Sequence, residues 1–340
     1  MTEISIFAMD IAKSVLQVVG ADVSGRPVMN RPLRRGQVLG FFARQSPAVI
    51  GMEACGSAHY WARELRALGH EPKLIPAQYV KPYVKRNKTD ARDAEAILEA
   101  MQRPTMRFVQ VKSVDQQCDR AVHSARDLLV RQATQLANAM RGLAYEMGVG
   151  APQGAAGMAG LLELIDQADG RLPAALLPML ESLAVQWRSV KAQIEKLDRH
   201  LKGLAMGSAD ARRLMKIPGV GPVTAHAVIA AIGDGAQFRS ARDFAAWVGL
   251  TPRQSGTGGK TRSGRISRAG DDALRRLLVL GASSSLRQVR AKPDKASKWF
   301  AALLARRPAK VAVVALAAKT ARIIWAILTS GEDYRAPAAA

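Results

Sequence analysis

The sequence predicts an α/β domain at the N-terminal end and an all-α remainder, on three observations. In the N-terminal third, short runs of apolar and β-branched residues alternate with helical patterns, which favours a layered α/β domain. From residue 113 onward, apolar residues recur every three to four positions, as in amphipathic helices. A Gly/Ala/Pro-rich break at 148–160 divides that helical pattern. We therefore predict three domains, at residues 1–112, 113–206 and 207–335.

The apolar runs of the N-terminal domain predict five strands and a helix. The strands at residues 4–10 and 48–53 each end in a carboxylate. Residues 57–68 carry large apolar residues at helical spacing, which predicts a helix between the fourth and fifth strands. The remaining strands are predicted at residues 14–22, 27–30 and 71–76. A basic segment, 81–88, is predicted as a loop that leads into a further helix.

The middle and C-terminal domains are predicted as helices. Residues 113–148 and 161–204 suit two long helices, which either form a coiled-coil-like arm for self-association or simply pack on each other. Residues 214–222 contain two glycines before a helical pattern, which is typical of a helix-hairpin-helix that holds a DNA phosphate on backbone N–H groups, or of an ordinary turn between helices. Further helices are predicted at 272–288, 295–305 and 308–328.

The charge of the chain indicates a polyanionic partner. The 340 residues carry a formal net charge of +22. Residues 211–310 hold 20 Lys/Arg against 5 Asp/Glu, so this segment contributes +15 of that charge. A soluble chain this basic most often binds nucleic acid. We expect no membrane span, because no run of 18 apolar residues occurs, and the two cysteines without metal-ligand spacing fit a reducing cytoplasm.

Four acidic residues form a candidate metal site. Asp10 and Glu53 each end an apolar strand, so both can lie at one edge of a sheet. Asp90 and Asp93 are three residues apart on a predicted helix that Thr89 can cap, so they share one face. Converging carboxylates remain ionised only beside positive charge, which a hard divalent cation supplies. The alternative is that the strands simply end in acids and that Asp90 stabilises its helix.

A second candidate centre is the polar segment Thr251–Lys260. It places Ser255 among glycines with basic residues on both sides, and it is predicted as a loop. Glycines permit close backbone approach to a ligand, and arginine or lysine beside them suits phosphate. Ser255 is therefore a candidate nucleophile or an ordinary turn residue.

Six short motifs, in this order along the chain, resemble those of one family. The chain is similar to the DEDD-type insertion-sequence transposases, the serine-dependent DNA recombinases guided by a bridge RNA. The motifs are Met9-Asp-Ile-Ala-Lys13, Gly51-Met-Glu-Ala-Cys-Gly56, Lys88-Thr-Asp-Ala-Arg-Asp-Ala94, Ile217-Pro-Gly-Val-Gly-Pro222, Gly249-Leu-Thr-Pro-Arg-Gln-Ser-Gly256 and Gly264-Arg-Ile-Ser-Arg-Ala-Gly-Asp271.

The resemblance implies a RuvC-like, ribonuclease-H-type N-terminal domain, a helical middle and a C-terminal transposase domain. It implies that the four acids are catalytic Mg²⁺ ligands. The family's nucleophilic serine falls on Ser255. Many relatives have two adjacent serines before the glycines, so Thr257 takes the nucleophile's place in another alignment. We prefer Ser255 because a primary hydroxyl attacks with less crowding.

The resemblance also implies the partners of the chain. These are donor and target DNA, a guide RNA and further copies of the chain in a homodimer or tetramer, in the cytoplasm and associated with the bacterial nucleoid. The predicted nucleic-acid contacts are Lys85, Arg86, Lys88, Arg131, Gly219, Gly221, Arg253, Lys260, Arg262 and Arg265.

Two other functions compete with a serine recombinase. One is a metal-dependent nuclease or junction resolvase, in which the carboxylates direct water and Ser255 is inert. The other is a non-catalytic DNA-binding module built on the glycine turn, in which the acids are structural. Loss of cleavage in Ser255→Ala excludes the first, and loss of cleavage with retained binding in Asp10→Asn excludes the second.

Overall fold

The chain forms two compact units. A computed structural model describes residues 4–85, 89–291 and 297–335. Unit 1 spans Met1–Asp115 and unit 2 spans Gln116–Ala340. The division into three domains stays a prediction.

Unit 1 is built on a five-stranded sheet in the order β3-β2-β1-β4-β5. β1, β2 and β3 are antiparallel neighbours, whereas β4 runs parallel to β1 and β5 parallel to β4. The predicted mixed α/β domain is confirmed, with the third strand running on to Arg34. The strands are β1 (Ile6–Asp10), β2 (Val15–Ala21), β3 (Pro27–Arg34), β4 (Val49–Glu53) and β5 (Glu71–Ile75). The RuvC-like relationship stays a prediction.

Helices cover both faces of the sheet at its inner strands β1, β2 and β4, where successive residues are buried on opposite sides. One core contains Phe7 and Met9 of β1 together with residues of α1 and α2. The other core contains Ala8 of β1 together with residues of α4. The helices are α1 (Val38–Phe42), α2 (Ala58–Ala67), α3 (Ala77–Val80) and α4 (Asp90–Met101). The segment 81–88, predicted as a basic loop, begins directly after α3 with a 3-10 turn at Lys81–Tyr83, and its residues 86–88 lie outside the described residues.

The middle of the chain contains three helices rather than two. They are α5 (Val114–Glu146), α6 (Ala155–Asp166) and α7 (Leu177–Gly207). The continuous helix predicted at 161–204 is wrong, because the chain leaves the helix after Asp166 and resumes it at Leu177. Ala168 adopts a φ of 48° and Pro173 lies in the connection, and neither continues an α-helix. A shared apolar core joins α5, α6 and α7.

The C-terminal part is mostly helical and has its own core. Its helices are α8 (Ala209–Leu214), α9 (Pro222–Ile232), α10 (Ala241–Trp247), α11 (Asp272–Ala291), α12 (Lys298–Arg306) and α13 (Ala309–Ser330). By length and composition α13 is the one described helix that is apolar enough to cross a membrane. Its residues Ala312, Ala317, Ala321 and Ile324 are completely buried in the C-terminal core, as in the central helix of a globular bundle.

The polar segment between α10 and α11 is a β-hairpin, not the predicted loop. β6 (Pro252–Thr257) pairs antiparallel with β7 (Lys260–Ile266). Gly258 and Gly259 form the two-residue turn, with φ of 56° and 76°. Positive φ at both central residues suits the twist of paired strands, and glycine reaches it without strain. This hairpin is the exception to the predicted all-α remainder.

Candidate active site

The alternation of the sheet places two of the predicted acids under α4. In β1, Ala8 belongs to the core beneath α4, so Asp10, two residues later, points to the same face. In β4, Met52 belongs to the opposite core, so Gly51 and Glu53 point toward α4. Because β1 and β4 are parallel neighbours, their C-terminal residues meet at one edge of the sheet. Asp10 and Glu53 therefore share a face and an edge.

The other two acids come from the first turn of α4. Thr89 caps the helix, with its side chain accepting a hydrogen bond from the Arg92 backbone N–H at 3.4 Å. Asp90 and Asp93 follow in the first turn, where the helix dipole favours negative charge.

Gly51 brings α4 close to the sheet. A Cβ atom on Gly51 would lie 2.5 Å from the Met101 sulfur and 3.4 Å from Ile97. Met101, Ile97 and Asp93 are four residues apart, so they lie along one face of α4. The side that packs over Gly51 is therefore the side that carries Asp93 at its N-terminal end.

Three of the four predicted carboxylates lie close together. One carboxylate oxygen from each of Asp10, Asp90 and Asp93 lies within 4.8 Å of the others, and this is the one such group found within the described residues. Burial, and then repulsion from Asp93, Asp90 and Glu53 in that order, raises the pKa of Asp10 from 3.8 to about 6. Glu53 lies outside the group of three but close enough to raise that pKa. A set of carboxylate oxygens with unfavourable mutual repulsion fits a hard divalent cation.

A strained turn follows Glu53. Ser57, the residue before α2, has a φ of 65°, which is uncommon for a residue with a side chain. Cys55 lies in the same turn; the residue as a whole is exposed, but its sulfur is partly buried. This burial, followed by the charges of Glu53 and Asp10, raises the pKa of the thiol. A neutral thiol beside the carboxylates is the state that this environment favours.

Ser255 lies in unit 2, on a hairpin that has no core of its own. Every residue of β6 is exposed, and so is β7 up to Arg265. Ser255 pairs with Arg262 across the hairpin, and Thr257 pairs with Lys260. Opposite residues of an antiparallel pair point to the same face, and so do residues two apart on one strand. One face of the hairpin therefore presents both hydroxyls with two cations beside them.

The root of the hairpin is held by close backbone contacts. A Cβ atom on Gly270 would lie 1.8 Å from the Trp247 carbonyl oxygen, and one on Gly249 would lie 2.4 Å from the Ala269 oxygen. Both glycines have positive φ, of 69° and 78°. Two backbone hydrogen bonds join the segments: Ser267 donates to Thr251, and Arg268 donates to Gly249.

A buried arginine, which the sequence did not single out, completes this root. Arg275 is 8% exposed, and its Nη1 donates to the carbonyls of Val248 at 2.9 Å and Ala269 at 2.8 Å. Its Nη2 donates to Asp272 at 2.5 Å. One guanidinium thus connects the chain before the hairpin with the chain after it. The available signal was a cation within the apolar stripe of α11, next to Leu274 and one turn before Leu278.

The other predicted contacts have varied environments. Gly219 has a φ of 84°, and its Cβ would lie 2.7 Å from the Gly281 oxygen, so packing against α11 accounts for this glycine. Gly221 precedes α9 and has open space around it. Lys85 is exposed, and Arg131 forms an ion pair with Asp127 at 3.3 Å.

Two of the remaining predicted cations lie on the hairpin, and the other two lie outside the described residues. Arg253 and Arg265 are exposed on the hairpin, and Arg253 donates to the Ser267 carbonyl at 3.1 Å. Arg86 and Lys88 lie outside the described residues.

Comparisons with known proteins match both parts of the chain. Residues 7–147 match a family model described as a transposase of the DEDD IS110 type, and residues 211–298 match the transposase IS116/IS110/IS902 family. A probable family 20 transposase of Pseudomonas aeruginosa is 47% identical, over 98% of this chain and 99% of its own length. The transposase for insertion sequence element IS1111A of Coxiella burnetii is 42% identical, over 98% and 92%. The transposase for element IS1328 of Yersinia enterocolitica is 37% identical, over 98% and 99%.

Proposed function

We propose that this chain, which belongs to the IS110/IS116 family of insertion-sequence transposases, cuts and rejoins DNA through a covalent bond between DNA and Ser255. The supporting observation is the exposed hydroxyl face of the hairpin, where Arg262 lies opposite Ser255 and Lys260 opposite Thr257. Two cations beside a hydroxyl can hold a phosphate against it.

The proposed step exchanges one ester for another. The Ser255 oxygen forms a bond to phosphorus, one P–O bond of the phosphodiester breaks, and the serine proton ends on the leaving nucleoside oxygen. The covalent phosphoserine retains the energy of the broken bond, so a DNA hydroxyl can later reverse the step without ATP. Arg262 and Lys260 hold the non-bridging oxygens while this exchange takes place.

The carboxylates are proposed to hold Mg²⁺. Asp10, Asp90 and Asp93 are the ligands that the geometry favours, and Glu53 is the fourth, through its place at the same edge of the sheet. A divalent ion bound there supplies positive charge against the negative charge that develops on a phosphate.

RNA guidance and assembly are proposed on the resemblance and on the charge of the chain. Exposed Lys85 and the α5 residue Arg131 are the proposed RNA contacts. Protein contacts would then go mainly to backbones, and base pairing with the guide would choose the target. A helix-hairpin-helix role for the turn at Gly219 and Gly221, a homodimer or tetramer, and a cytoplasmic, nucleoid-associated location are proposed on the same basis.

One observation favours a second candidate, a metal-dependent nuclease without a serine nucleophile. Within the described residues, the Ser255 hydroxyl has no hydrogen-bond partner, so none of them is placed to take its proton. A nuclease needs only the carboxylate cluster and an activated water.

A covalent-trapping assay separates the two functions. The full-length protein with co-expressed RNA is incubated with labelled donor and target DNA and Mg²⁺, and the products are run on a denaturing gel. We expect a DNA-linked protein band that is lost in Ser255→Ala and in EDTA, and is retained in Thr257→Ala.

Thr257→Ala is the matched control, because both hydroxyls lie on the same exposed face of one strand. Free cleaved ends without a linked band, unchanged by Ser255→Ala, would establish the nuclease. A linked band that only Thr257→Ala removes would move the nucleophile to Thr257.

A further inference from the structure

A segment of unit 1 outside the predicted nucleic-acid contacts carries only positive charge. Residues 23–52 contain five arginines and no aspartate, glutamate or lysine. Four of these arginines are exposed along β3 and the short helix α1 that follows it. We call them the arginine edge: Arg31, Arg34, Arg35 and Arg44.

Ion pairs do not neutralise the arginine edge. None of its four guanidinium groups forms an ion pair within residues 4–85, 89–291 or 297–335. Arginines elsewhere on the surface differ: Arg171 pairs with Asp169 at 2.9 Å, and Arg188 pairs with Asp166 at 2.5 Å. β3 is also a terminal strand of the sheet, so no strand among the described residues pairs with the other side of its backbone.

Two of the arginines line a shallow cavity of about 210 Å³. Arg31 and Arg44 contribute the charge, and the Arg31 guanidinium carbon lies 5.9 Å from the centre of the Phe41 ring. Gln37 also lines the cavity, and its Oε1 accepts from the Arg34 N–H at 3.0 Å, so its amide NH₂ remains as a donor. The cavity thus offers two guanidinium groups and an amide above an aromatic floor.

The cavity and the carboxylates lie on opposite faces of the sheet, and β3 is the edge strand between them: Arg31, opposite Val18, is on the α1 face, whereas Asp10 is on the α4 face. β3 ends where β1 ends, because each is antiparallel to β2. Asp10 pairs with Gln17, and Gln17 pairs with Pro32, so Arg34, two residues after Pro32, lies on the same face as Asp10. β3 is two strands away from β1, a distance of about 10 Å.

We propose that the arginine edge binds the phosphodiester backbone of a nucleic-acid strand that passes around β3, from the α1 face of the sheet to the carboxylates on the α4 face. Arg31 and Arg44 hold one phosphate at the cavity, and Arg34, on the opposite face of this edge strand, holds a later phosphate on the side of Asp10. Guanidinium groups suit this role because their paired N–H donors match two phosphate oxygens. That the ligand is a nucleic acid rests on the proposed function, whereas its binding can be measured without any DNA cleavage or joining.

The test measures binding by the full-length protein in EDTA, where no metal-dependent cleavage takes place. The probes are labelled duplex DNA, single-stranded DNA and double-stranded RNA of one length, each over a series of salt concentrations. We expect Arg31→Gln/Arg44→Gln to weaken binding of at least one probe about tenfold. For two lost contacts to duplex DNA, the slope of log K against log salt falls by about 1.8.

The matched control is Arg171→Gln/Arg188→Gln, which removes the same charge from two arginines that are already paired with acids. The charge-retaining variant Arg31→Lys/Arg44→Lys should keep most of the salt slope, and thermal melting checks that each variant is folded. A loss confined to DNA or to RNA supports the proposal and identifies the strand. Equal losses in the arginine-edge variant and the control, on all three probes, would overturn it while leaving the serine mechanism intact.

Discussion

The carboxylate cluster and the serine hairpin hold their reactive groups in different ways. Asp10 follows three completely buried residues of β1, and Asp93 belongs to a helix whose buried face packs on the same sheet. Ser255 belongs to a strand on which every residue is exposed. A hydrophobic core therefore positions the acids, whereas the serine depends on the geometry of the hairpin and on its root.

This difference predicts how easily each site opens locally while the rest of the protein stays folded. An element with few buried apolar contacts opens at low free-energy cost, so we expect the hairpin to exchange its amide hydrogens faster than β1. The hairpin direction is set where it leaves the helical core, by Gly249, Gly270 and Arg275. Substitutions at the root should thus affect Ser255 as strongly as substitutions near it.

The largest effect is expected at Gly270. In Gly270→Ala the new Cβ would lie 1.8 Å from the Trp247 oxygen, at a φ of 69°. Left-handed strain and overpacking together should cost about 2–5 kcal/mol of unfolding free energy. Urea denaturation measures this loss, and the covalent trapping assay should show little linked DNA.

Gly258→Ala is the control for that experiment. Gly258 also has a positive φ, of 56°, but no atom of the described part of the chain lies within 4 Å of its Cβ position. It should cost only about 1 kcal/mol, the price of the backbone conformation alone. Equal losses at the two positions would mean that the close contact at the root contributes nothing.

The same contrast explains what could be predicted from sequence. Asp10 and Glu53 could be predicted because their strands are buried on both faces and so carry a continuous apolar run that ends at the acid. The hairpin carries no such pattern, because neither face of β6 is buried, and its six residues by themselves favour a loop. Gly258-Gly259 was the remaining hairpin signal.

Tertiary contacts account for the other differences. Arg275 was missed because an arginine in a helix is usually exposed, and only the fold brings the Val248 and Ala269 carbonyls to it. The continuous helix predicted at 161–204 is wrong because the chain breaks at Ala168, with its positive φ, and at Pro173, although the apolar spacing continues on both sides. The arginine edge was missed because its charges become adjacent only when β3 and α1 pack together.

An intermediate effect is expected at Arg275. Arg275→Met leaves two buried carbonyls without their donor, which should cost about 1–3 kcal/mol. Asp272 keeps a partner, because Arg276 also binds it at 3.0 Å. In Arg275→Met, amide hydrogen exchange should be faster at Ser267 and Arg268, whose backbone hydrogen bonds join the two sides of the root.

Two comparison variants test whether Arg275 acts through the hairpin. Arg275→Lys can donate to one or both carbonyls but lacks the planar fork, so it should restore part of the linked-DNA yield. Arg276→Met removes a cation that is 43% exposed and paired with Asp127, and should leave exchange at the root unchanged. Equal acceleration by Arg275→Met and Arg276→Met would contradict the positioning role.

The smallest effect on stability is expected at Asp10, and its sign depends on metal. In EDTA at pH 7, Asp10→Asn should stabilise the protein, because the folded state holds an ionised carboxylate whose pKa is raised to about 6. A shift of two pKa units corresponds to about 3 kcal/mol in a fully buried site, and solvent screening at this partly exposed edge reduces it to about 1 kcal/mol. Because the Asp10 carboxyl keeps its proton to a higher pH in the folded state than in the unfolded state, the stability advantage of Asp10→Asn should vanish below pH 4 and grow up to about pH 6.

Mg²⁺ should reverse the order of stability and make the wild-type protein the more stable one. The wild-type cluster binds the ion more tightly, and ligand binding stabilises the folded state. A finding that Asp10→Asn is the less stable protein in EDTA at pH 7 would contradict this prediction. It would mean that repulsion among the carboxylates does not distinguish this edge of the sheet from the uncharged hydroxyl face of the hairpin.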